Sequence, residues 1–245
     1  MSDNSEESLK LKLLGPAAES AGQTLQDVWD VVFGRFHLYA QKKRFSNDRA
    51  FEEFKSSVEQ RVIEIPSDSI KEPKLSILGP TLDASKFYFE EKPLREMFAT
   101  LASASMDARK ERDLHPSYPE IIKQMSPLDA QNLSLFKTQL PVAEYYLLNK
   151  ERDTRRTILT NVFLENTDVQ DLIMQSRSLA SLSRLGLLEI EYETILLAEK
   201  FYEKFLLTPY FLSAGSDNSN EIAGIRPGRA RLTPFGKSFT SVCLG

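Results

Sequence analysis

The chain has 245 residues, with 31 Lys and Arg against 35 Asp and Glu and a formal net charge of −4. Hydrophobic residues at 41% and charged residues at 27% lie at globular averages and exclude wholesale disorder, and the charge balance offers no bulk attraction to nucleic acid or anionic lipid. The single cysteine, Cys243, excludes an intrachain disulfide framework, and with only His37 and His115 beside it the common zinc sites are nearly unbuildable, which leaves only a carboxylate-rich site.

Residues 1–8 are acidic and polar, the opposite of a signal peptide, and no apolar run approaches the roughly 18 residues of a membrane span. The expectation is a cytoplasmic protein with no membrane partner. After the Gly15-Pro16 break, Leu25, Val28, Trp29, Val32, Phe36 and Tyr39 recur at helical steps, and Lys42, Lys43 and Arg44 suit the negative end of that helix. Its apolar face carries Trp29 and Phe33, but its polar face is acidic, which fits a core helix better than a lipid-bound one. Phe51, Phe54, Val58 and Val62 predict a second helix that ends at Pro66. Prolines at 66, 73, 80 and 93 then predict short helices and turns. Pro93 opens a helix that buries Leu94, Met97, Phe98, Leu101 and Ala102. Ser117 with Glu120 reads as a capping box, and Ser126-Pro127 starts a helix that runs to about Lys137.

From about residue 140 the pattern changes. Tyr145–Leu148 is a short apolar run, 149–156 a charged turn, and Ile158–Leu164 a strand. Asn166 or Thr167 can cap a helix with Leu172, Leu179, Leu182 and Leu185 on its apolar face, and Gly186 stops it. Leu187–Glu193 alternates like a strand, Ile195–Phe205 is helical, Ser213–Gly228 reads as loop, and Arg231–Gly236 leads into a last helix, Lys237–Cys243. This order predicts a winged helix-turn-helix. The expected fold is therefore mainly α with a minor α+β part: a disordered polar start at 1–8, a helical domain over 9–137 and a winged-helix-like domain over 138–245.

Ordered blocks along the chain resemble one family. They include Leu14–Glu19, Ile70–Pro73, Gly79–Ala84, Leu94–Leu101, Ala104–Asp107, His115–Gln124, Ser126–Ala130, Leu182–Leu188 and Leu232–Phe239. Together they are similar to the bacterial abortive infection alpha (Abi-alpha) proteins, long treated as a domain of unknown function. The resemblance implies a bacterial or prophage-borne protein linked to phage defence. The family has no agreed reaction, so no catalytic residue is carried over. The segment around 195–231 departs from the family pattern as an insertion.

Several constellations invite chemistry. Gly236-Lys237-Ser238 looks like the end of a phosphate loop, but Arg231 stands where that loop needs glycine and too little helix follows. Arg109 and His115 have the Arg-x5-His spacing that resembles helical HEPN ribonucleases; against it, His115 precedes Pro116, which disfavours the helical conformation such a site uses. Glu189, Glu191 and Glu193 share a strand face, and Asp68, Glu72 and Lys74 loosely echo a nuclease site that Pro73 interrupts. Arg177 and Arg184 on the presumed recognition helix, with Arg226, Arg229, Arg231 and Lys237 on the wing, form a candidate contact surface for nucleic acid or a partner. Residues 126–245 nonetheless carry slightly more acidic than basic side chains, which disfavours duplex binding. The expected function is phage defence without catalysis, cofactor or metal, through a protein partner. The alternatives are a DNA-binding regulator and an Arg109–His115 ribonuclease toxin. Self-association stays open.

Overall fold

A computed structural model describes residues 23, 48–193, 196, 200–214 and 220–245. The polar start, the amphipathic segment Leu25–Tyr39 and the beginning of the helix expected at Ile195 lie outside the described residues. Those described gather into two units, one up to Pro127 with Ser238–Gly245 and one over Leu128–Lys237.

In the first unit the apolar steps become helices. Helix α1 (Asp48–Ile63) turns Phe54, Val58 and Val62 inward and ends shortly before Pro66. Helix α2 (Leu75–Ser85) runs through Pro80 and buries Ile77, Leu78 and Leu82. Pro93 lies in the first turn of α3 (Lys92–Ala104), which buries Leu94, Met97, Phe98, Leu101 and Ala102. α1 packs on α3, and the rings of Phe51 and Phe54 meet Phe89 at 5.7 and 5.3 Å. The capping box expected at Ser117 does not form. Ser117 already has helical dihedrals and its hydroxyl faces His115, while Glu120 bonds Lys123 instead. Helix α4 (Tyr118–Lys123) still buries Tyr118, Ile121 and Ile122.

The second unit begins with α5 (Pro127–Leu135) and then departs from the expected fold. Strands β1 (Leu140–Asn149) and β2 (Thr154–Val162) form an antiparallel hairpin. Helix α6 (Leu172–Arg184) and the short strand β3 (Leu188–Glu191) follow. After α7 (Lys200–Glu203), a 3-10 turn (Lys204–Leu207) and α8 (Pro209–Ala214), strand β4 (Glu221–Leu232) leads into α9 (Pro234–Cys243). The four strands make one curled antiparallel sheet in the order β2-β1-β4-β3.

The expectation of a mainly α chain ending in a winged helix is thus corrected to α+β. Two physical reasons explain the misreading. β1 buries Ala143, Tyr145 and Leu147 on one face and Val142 and Glu144 on the other, so its sequence does not alternate. β4 contains Gly224, Pro227 and Gly228, which read as loop. In the sheet, however, a Cβ on Gly224 would lie 2.5 Å from the Tyr146 ring and one on Gly228 2.7 Å from the Tyr192 ring, so these glycines seat aromatic rings on the strand. Pro227 falls beyond the last β3 pair, Glu191 with Arg229, where a strand tolerates proline.

The cap of α6 is also displaced. Asp171, not Asn166 or Thr167, accepts from the Ile173 and Met174 amides at 2.9 and 3.0 Å. Asn166 instead joins a buried network. Its side-chain amide donates to Asn132 Oδ1 at 2.7 Å, and Asn132 donates to Gln175 Oε1 at 2.8 Å and Ser178 Oγ at 2.9 Å. Gly186 does stop the helix, with φ +73°.

Candidate functional site

Strand alternation divides the side chains of the sheet between two faces. On one face Ala143, Tyr145 and Val162 pack against Tyr202 and Phe205, with Tyr210, Phe211 and Ile225 partly buried around them. The segment 200–214 is held there by tyrosine hydroxyls. Tyr145 donates to the Phe205 carbonyl at 2.7 Å, and Tyr202 donates to the Gly228 carbonyl at 2.8 Å while accepting from the Leu196 amide at 3.0 Å. Burial pushes the Tyr145 hydroxyl above its ordinary pKa, so it stays a neutral donor.

The other side of this segment faces solvent and carries large apolar side chains beside the exposed Lys200, Glu203 and Ser213. Phe201 and Leu206 are each 41% exposed, Leu207 72% and Leu212 62%. Four large apolar side chains within one short segment form a ledge, the kind of surface that marks an interaction site. The sequence already held the signal. Residues 201–212 carry more apolar groups than one face of so short a segment can bury.

The arginines expected to contact nucleic acid separate by face. Arg229 bonds Glu191 through Nε and Nη2 at 2.9 and 2.8 Å and Gln139 at 2.9 Å, and Arg231 pairs with Glu189 at 2.8 Å. These follow from register, since Glu189 lies opposite Arg231 and Glu191 opposite Arg229. Two of the three glutamates once considered for a cation are therefore spent on arginines. Arg226 projects to the opposite face, its guanidinium 5.6 Å from the Tyr192 ring centroid. Arg177 and Arg184 are exposed on α6, and Lys237 is exposed on α9. Among the described residues, no group of three or more His, Cys, Asp or Glu is placed to hold a metal ion, and no helix is long and apolar enough to cross a membrane.

In the first unit Arg109 and His115 are each held in a local turn. Arg109 grips the buried Asp107 carboxylate, with Nε 2.9 Å from Oδ1 and Nη2 2.6 Å from Oδ2, and its own amide donates to Oδ1 at 2.9 Å. Burial works to raise the Asp107 carboxyl, but these bonds outweigh it and hold it below the usual range. His115 Nδ1 accepts from the Ser117 amide at 3.2 Å and lies 2.7 Å from Ser117 Oγ. A cavity of about 250 Å³ is lined by Arg61, Glu64, Asp107, Arg109, Lys110 and Ser241 among others, and His115 is not in its wall. Of the looser nuclease echo, Asp68 accepts from Ser69 and Lys74 pairs with Glu111.

The model for the family described as abortive infection alpha matches residues 46–243. The chain belongs to that family. No match was found among curated proteins or among solved structures. As an abortive infection alpha protein it is an abortive-infection protein, and the match takes in the ledge, both faces of the sheet and the Asp107–Arg109 turn.

Proposed function

We propose that this abortive-infection protein acts in the cytoplasm of a phage-infected bacterium, without a catalytic step, by seating a protein partner on the ledge of Phe201, Leu206, Leu207 and Leu212. The exposure of that ledge carries the reading. Fully burying a leucine side chain contributes roughly 1.5–3 kcal/mol, so covering Leu207 and Leu212 alone would supply a useful part of a stable interface. The charge pattern supports a protein partner over duplex DNA, because Arg229 and Arg231 are already neutralised by Glu191 and Glu189. The local fixation of Arg109 by Asp107 and of His115 by Ser117 supports the non-catalytic part.

The test is affinity capture from phage-infected cells that express either the wild type or the double variant Leu207→Asp, Leu212→Asp. A phage or host protein recovered in proportion with the wild type and lost with the variant supports the reading. Equal recovery with both removes the ledge from it. RNA cleavage by the purified wild type that disappears in folded His115→Ala would replace it with an enzyme.

A further inference from the structure

The opposite face of the sheet carries different chemistry. Gly224, Arg226 and Gly228 of β4 point to it, across from Tyr146, Glu144 and Val142 of β1. Arg226 therefore sits between two tyrosine rings seated on glycines, Tyr146 over Gly224 and Tyr192 over Gly228. Arg155 of β2 completes the row, 5.0 Å from the Tyr146 ring centroid.

The two faces treat their charges differently. On the Tyr145 face Arg156, Arg229 and Arg231 each meet a glutamate. On this face Arg155 and Arg226 lie against rings, and neither forms an ion pair among the described residues. Glu144 is the cross-strand neighbour of Arg226; the residue is only 9% exposed, but its carboxylate oxygens reach solvent and meet no hydrogen-bond or ion-pair partner among the described residues. Burial raises the Tyr192 hydroxyl, Glu144 adds to that rise and Arg226 opposes it, so both charges are felt at the same ring. Arg155 and Ile222 are exposed on this face, which leaves its outer half open.

A carboxylate on a residue this little exposed keeps few water partners, and a ligand that brings N–H donors replaces them with charge-assisted hydrogen bonds. The ligand must offer N–H groups to Glu144, an acceptor to Arg226 and negative charge to a site that holds two arginines and one glutamate. A free amino acid has the donor and acceptor but no net charge. A guanine nucleotide has all three: N–H donors beside O6 on the base edge, and a phosphate. Because Glu144 is recessed, only an unpaired base edge can reach it. We propose that this open face binds single-stranded nucleic acid, with Glu144 accepting hydrogen bonds from a guanine base and Arg155 and Arg226 neutralising phosphates.

The test is fluorescence anisotropy of the full chain with labelled single strands of about eight nucleotides, in RNA and DNA forms, with and without guanine. Binding at low salt is expected to weaken as salt rises, and guanine-containing strands should bind roughly tenfold tighter than strands of uridine or thymidine. Glu144→Gln should erase that preference while keeping affinity for the strand without guanine. Arg155→Ala, at an exposed position, should weaken both. Thermal unfolding confirms that each variant is folded. No binding by any strand at low salt, equal affinity with and without guanine, tighter binding of duplex, or a preference that survives Glu144→Gln would each overturn the proposal. The ledge variant should bind these strands unchanged, so failure here leaves the partner reading standing.

Discussion

The hydroxyl of Tyr192 accepts a hydrogen bond from the Asn161 amide at 2.7 Å and donates one to the Asn161 side-chain oxygen at 2.9 Å. Tyr192 directly follows β3 and Asn161 lies in β2, the two edge strands, so this pair ties one edge of the curled sheet to the other. Asn161 has φ +50°, in the left-handed region that asparagine tolerates better than most residues, next to a register shift in the β1–β2 ladder. Tyr192→Phe removes both bonds and leaves the Asn161 amide unmatched. A loss of about 1–3 kcal/mol is expected, read as a lower urea midpoint. An unchanged midpoint would show that the curl is held by packing alone.

Gly236 sits where the fold leaves no room for a side chain. A Cβ on Gly236 would lie 2.1 Å from the Leu187 carbonyl oxygen, a backbone atom that cannot swing away, so Gly236→Ala should destabilise by about 3 kcal/mol or more. A denaturant curve of the variant checks this, and an unchanged midpoint would show that the backbone yields there.

Asn132 joins three partners inside the second unit, taking a bond from Asn166 and giving bonds to Gln175 and Ser178. Asn132→Ala leaves buried polar groups unmatched on both sides, for an expected loss of about 3 kcal/mol. Asn166→Ala tested with Asn132→Ala in a double-mutant cycle should give less than the sum of the single losses. Strict additivity would mean that the groups do not act as one network.

The helices of the first unit were legible because Phe54, Val58, Val62 and the Leu94–Ala102 face obey a helical period that burial imposes directly. The sheet was not, because its central strands break the rules that reveal strands. β1 hides its alternation because Val142 and Glu144 are buried opposite the Ala143 and Tyr145 face, and β4 carries glycines needed by Tyr146 and Tyr192 but indistinguishable from loop glycines in one sequence. The same applies to the candidate sites. Arg229 and Arg231 looked available until register placed Glu191 and Glu189 opposite them. Glu144 stood as one charge in an apolar run, a visible irregularity whose meaning depends on Arg226 lying across the ladder.

Acid should weaken the first unit through Asp107. Its carboxyl is held below the ordinary value, so the stability from its bonds to Arg109 is fully present above the unfolded aspartate value of about 3.9 and is lost as pH falls through the lower folded value. Asp107→Asn lacks this contribution. The stability gap between wild type and Asp107→Asn should stay level near neutrality and close below about pH 4. A gap that widens on acidification would contradict the assignment.

Cys243 is buried, and burial pushes its thiol well above the ordinary range. A disulfide reagent at mildly alkaline pH should therefore modify it only as fast as the surrounding structure opens, and promptly in denaturant. Fast labelling of the native protein would show that the end of α9 detaches readily.

The central claim, that this abortive-infection protein works through the apolar ledge, is tested most directly by phage plating. Bacteria expressing the wild type or Leu207→Asp, Leu212→Asp at equal, folded levels are challenged with a phage panel, and plaque counts are compared with cells lacking the protein. Reduced plating on the wild type that returns to the empty-cell level on the variant is the predicted result. Equal protection by both proteins would contradict the account.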